Sequence, residues 1–100
     1  MREPLDANTP AMNRRFTAKA ALASHFRIVD GLHVAFDRWP PPMIEQIVKA
    51  EEAASVAAVQ YIGSGSVEDE IGFRRSLVAA EKVWREAAAH PPKASKEDEA

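Results

Sequence analysis

The stretch HFRIVDGLHVAFDRWPPP, residues 25–42, decides how the chain folds. On either side of Asp30-Gly31 it is rich in β-branched and aromatic residues, from His25 to Val29 and from Leu32 to Phe36. A two-residue Asp-Gly loop is the strongest short-range hairpin signal, because both central residues of a type I′ turn need positive φ. The stretch therefore predicts a β-hairpin over 25–39, pairing Val29 with Leu32, Arg27 with Val34 and His25 with Phe36. One face would carry Val29, Leu32, Val34 and Phe36, the other Phe26, Ile28 and Ala35, so both faces need cover.

Downstream, Pro40-Pro41-Pro42 ends the strand region and suits the first turn of a helix, where no backbone donor is required. A helix is expected over 41–62, with Met43, Ile47, Ala50, Ala54, Ala57 and Tyr61 at 4-3-4-3-4 spacing along one seam. GSGS at 63–66 interrupts it, offering a glycine for the left-handed conformation and a serine N-cap with Asp69 three residues on. A second helix over 67–90 has its seam at Phe73, Leu77, Ala80, Trp84 and Ala87. Glu45 to Lys49, Glu70 to Arg74 and Glu81 to Arg85 are ordered for i,i+4 pairing on the outer faces. Two seams joined by a short turn predict an antiparallel helical hairpin, large side chains on the second helix packing over alanines on the first.

Upstream, Thr17 is positioned to cap a short helix over 17–24. Residues 1–13 and 91–100 are polar and punctuated by proline, which predicts disordered tails around a single domain at 14–90; Met12 offers a second start. The expected fold class is α+β, mainly α: a short N-terminal helix, one β-hairpin, then a long antiparallel helical hairpin.

Composition narrows the function. Without cysteine there is no disulfide, thiolate nucleophile or sulfur-bound zinc site. RRFTAKAALA is interrupted by Lys19 and is a poor secretory signal, and no apolar run approaches membrane-spanning length, so a cytoplasmic protein without membrane association is expected. Net charge is −2, with six basic and four acidic groups in residues 1–42 against seven and eleven in 43–100. The front half leans towards an anionic partner but falls short of a nucleic-acid footprint.

Catalytic chemistry is sparse. His25 and His33 would point to opposite hairpin faces and His90 lies beyond the second helix, so no metal set converges. Glu51 interrupts the apolar arc of its helix, where an inward carboxylate could act as acid or base, but an edge residue with its head in water is the plainer reading. GSGS lacks the lysine of a phosphate loop, and G-x-S-x-G does not occur. No enzyme and no cofactor is expected.

ALASHFRIVDGLHVAFDRW, preceded by Arg14, Arg15 and Lys19, resembles in outline the helix-turn-helix of phage repressors and small terminase subunits. That resemblance implies nucleic-acid binding, with the helical hairpin for oligomerisation. The leading expectation is instead a non-catalytic accessory or regulatory protein that acts by self-association, as a homodimer or higher, or by docking on another protein. Val67, Ile71 and Val78 on one helix, and Ile44, Val48 and Val59 on the other, lie off the seams. Buried, they would contribute ~1.5–3 kcal/mol each. Ile71, Arg74, Arg75, Val78 and Val67 form the expected contact patch, an apolar strip rimmed by cations.

Overall fold

Helical spacing runs straight through the segment that resembles a first strand. Ala18, Leu22, His25 and Val29 follow at 4-3-4 intervals, the period of a helix seam. The structure, a computed structural model, describes residues 3–91, with side chains from Pro10 onward. It consists of three helices: α1 (Glu3–Asp30), α2 (Pro41–Ser64) and α3 (Val67–Ala89). The fold is all-α, and no strand occurs among the described residues, which corrects the expected α+β class and its β-hairpin at 25–39.

The reason lies at Asp30-Gly31. Neither residue has positive φ, so the type I′ turn is not made; among the described residues the only non-glycine residue with positive φ is His33, at 57°. Asp-Gly serves instead as a helix end. The N–H of Gly31 donates to the Arg27 carbonyl at 3.2 Å, that of Leu32 to Val29 at 3.0 Å, and that of His33 to Asp30 at 3.3 Å. Strand propensity spans only about 1 kcal/mol and yields to packing. Here packing draws Val29, Leu32 and Val34 onto Ile47, Trp84 and Ala87 at one end of the bundle.

Two further expectations change with α1. The helix is described from Glu3, where residues 1–13 were expected to form a tail, and Thr17 sits within it and does not cap it. The C-terminal tail expected over 91–100 lies, beyond Pro91, outside the described residues. LHVAFDRW, residues 32–39, forms turns and no helix, so the outline shared with helix-turn-helix proteins lacks a recognition helix.

α2 and α3 pack antiparallel. All five seam residues of α3 are buried, Phe73, Leu77, Ala80, Trp84 and Ala87. They meet Ile47, Ala54, Ala58 and Tyr61 of α2, where Ala58 replaces the expected Ala57 at the centre. Tyr61 stacks on Phe73 with ring centroids 6.0 Å apart. At the turn, Gly65 takes φ 67° and its N–H donates to the Tyr61 carbonyl at 2.8 Å. The Ser66 hydroxyl then accepts the Asp69 N–H at 3.1 Å, as expected of an N-cap. α1 lies along this pair, with Ala18, Ala21 and Leu22 against the Tyr61–Phe73 end. The Arg14 guanidinium donates from Nε to the Ile62 carbonyl at 2.9 Å. At the far end Trp39 donates from Nε1 to the Ala87 carbonyl at 2.9 Å. Because Arg14 lies by the end of α2 and His25 by its middle, α1 runs antiparallel to α2 and parallel to α3.

Candidate functional site

The first candidate is a polar cluster inside the bundle. Among the described residues His25 is the one buried polar residue, 1% exposed, and each α-helix contributes to what surrounds it. From α2, Glu51 brings Oε2 to 2.6 Å from His25 Nε2; from α3, Glu81 brings Oε2 to 3.1 Å from Nδ1. The same Glu51 oxygen accepts the Trp84 Nε1–H at 2.7 Å. No buried side-chain polar atom lacks a partner among the described residues.

Hydrogen-bond stoichiometry says what this arrangement can do. Each ring nitrogen of His25 meets one carboxylate oxygen, Nε2 that of Glu51 and Nδ1 that of Glu81, and the side chain is buried. The two carboxylates stand on opposite sides of the ring, and no set of three or more ligating residues converges on a metal position among the described residues. The cluster is a clasp that joins α1 to both other helices. It also explains why Glu51 interrupts the apolar arc of α2: its carboxylate points towards a buried cation-capable ring. Glu81 is turned the same way, and the expected Glu81–Arg85 pair does not form.

His25 was legible only as a seam position. Read in a strand it has no relation to Glu51; read at helical spacing, a histidine at a core position requires a polar partner from a neighbouring helix.

The second candidate is on the surface. Val67 and Val78 are each 67% exposed and Ile71 is 45% exposed, all on one face of α3. Ile71, Arg74, Arg75 and Val78, with Ala79 and Lys82, line a shallow groove of about 440 Å³. Arg74 is paired with Glu70 at 3.2 Å. Arg75 and Lys82 have no ion-pair partner among the described residues. Of the five residues expected to form a contact patch, Ile71, Arg74, Arg75 and Val78 line this groove, whereas Val67 is exposed outside its lining.

Sequence reasoning missed one member of the corresponding face of α2. Val48, Val56 and Val59 are exposed there, beside exposed Glu45 and Glu52. Val56 lies within the same helical arc as Val48 and Val59, off the seam read from the sequence. Phe36, Val48 and Val56 border a second groove, about 560 Å³, into which Glu51 and Glu52 also face. On α1, Met12, Phe16 and Phe26 are exposed as well.

No family model, curated protein or solved structure matches this chain. Among the described residues no helix is long and apolar enough to cross a membrane.

Proposed function

We propose that the protein is a small non-catalytic accessory or regulatory module that acts by protein–protein interaction. The observation that supports this is the aliphatic surface the bundle leaves in water on α2 and α3, with charged side chains beside it. Scattered apolar residues are normal on a surface, but aligned ones rimmed by charge are characteristic of binding faces. The α3 face combines exposed valine and isoleucine with Arg75 and Lys82, so its complement is a helix that offers aliphatic side chains and carboxylates.

The alternative of nucleic-acid binding draws on Arg14, Arg15 and Lys19, but residues 32–39 supply no helix for a groove. The test is retention of proteins from the native host on wild type and on Ile71→Glu/Val78→Glu, both folded by circular dichroism. A partner retained by wild type and lost by the variant supports the reading. Retention of duplex DNA that declines steeply with salt, with no protein partner and no self-association, would replace it.

A further inference from the structure

We propose that the exposed face of α3 receives α2 of a second copy of this chain in antiparallel register. The inference rests on the interaction reading above and names its partner. Along α2, Glu45, Val48, Glu52, Val56 and Val59 fall within an arc of about 80° at 3.6 residues per turn. Along α3, Val67, Ile71, Arg75, Val78 and Lys82 fall within an arc of about the same width. All ten side chains are exposed.

Set side by side in opposite directions, the two stripes match at every position. Glu45 meets Lys82, Val48 meets Val78, Glu52 meets Arg75, Val56 meets Ile71 and Val59 meets Val67. Each carboxylate faces a cation and each aliphatic faces an aliphatic. In a parallel alignment Glu45 would face Val67 and Lys82 would face Val59, which leaves one charge of each sign against an apolar group. None of the four charged residues is engaged in an ion pair among the described residues, so each is free to make the new contact.

The match cannot be satisfied within one molecule. There α2 and α3 already pack through other faces, with Ile47, Ala54 and Tyr61 turned to Phe73, Leu77 and Trp84. A second copy supplies the complement with no further requirement. Because the two patches differ, the contact either forms twice in a two-fold pair or repeats from copy to copy.

Charge exchange tests the pairing. Glu45→Lys/Glu52→Lys makes both stripes cationic, and Arg75→Glu/Lys82→Glu makes both anionic. Sedimentation is expected to show wild type heavier than a monomer at high micromolar concentration and each variant alone at monomer mass. An equimolar mixture of the two is expected to regain association. Helicity is checked for each; Val59→Lys combined in mixture with Val67→Glu gives an independent version of the same exchange. A monomeric wild type, association that survives both reversals, or a mixture that stays monomeric would overturn the pairing. If wild type is monomeric yet retains a host protein through Ile71 and Val78, only this inference fails. If it does neither, the interaction reading fails with it.

Discussion

In a plain three-helix bundle the position of His25 would hold an aliphatic side chain. With an imidazole there, the neighbouring helices must supply acceptors, and Glu51 and Glu81 do so at 2.6 and 3.1 Å. Removing one member of a buried pair leaves the others without a counterpart, at a cost of roughly 3–5 kcal/mol when burial is complete. Both carboxylates retain some access to water, so His25→Ala is expected near the lower end, about 3 kcal/mol, measured by urea unfolding. Glu51→Gln keeps an oxygen for the Trp84 N–H and is expected to cost less than Glu51→Ala in the same assay. At the α2–α3 turn a Cβ on Gly65 would lie 2.9 Å from an Arg14 guanidinium nitrogen, at φ 67°. Gly65→Ala therefore combines left-handed strain of about 1–2 kcal/mol with displacement of Arg14. Loss of that stability should be partly shared with Arg14→Ala, so the double variant should fall short of the sum of the two.

The helices are held unequally. α2 and α3 interlock through Tyr61, Phe73, Leu77 and Trp84, whereas α1 contributes Ala18, Ala21 and Leu22 to the main cluster and relies on Arg14 and His25 for polar attachment. Hydrogen exchange should therefore show amides of α1 opening before those of α2 and α3. Uniform protection across the three helices would contradict this. Ser66→Ala removes the side-chain acceptor for the Asp69 N–H and is expected to cost about 1 kcal/mol. The two longer seams were legible because each shows several turns of one period. α1 was not, because its seam of Ala18, Leu22, His25 and Val29 is short and interrupted by a histidine, and its last turn holds β-branched Ile28 and Val29. A local turn signal at Asp30-Gly31 then outweighed a weak helical one. Asp-Gly also fits a helix end, and only the neighbours that collect Val29, Leu32 and Val34 favour that outcome.

Across the molecule, ten large apolar side chains among the described residues are exposed, Val48, Val56, Val59, Val67, Ile71 and Val78 among them. Association that covers them should raise apparent stability with protein concentration. The thermal midpoint of wild type is expected to climb over a concentration series, while that of Glu45→Lys/Glu52→Lys stays constant. Coincident flat series would count against self-association. The open patch on α3 was legible in the sequence because Val67, Ile71 and Val78 lie off a complete seam. The clasp was not, because its three helices lie far apart in the chain: His25 and Glu81 are separated by 56 positions.

The sequence by itself determined the α2–α3 pair: its period, its GSGS turn with Gly65 and Ser66 at the caps, the large residues of its inner seam, and the aliphatics that miss that seam. These depend on interactions within a few residues, which repeat often enough along the chain to be read. Only the tertiary structure decided that residues 25–30 are helical and that His25 joins Glu51 to Glu81. Local preference there is small and divided, so the conformation follows from which distant side chains can bury or neutralise one another.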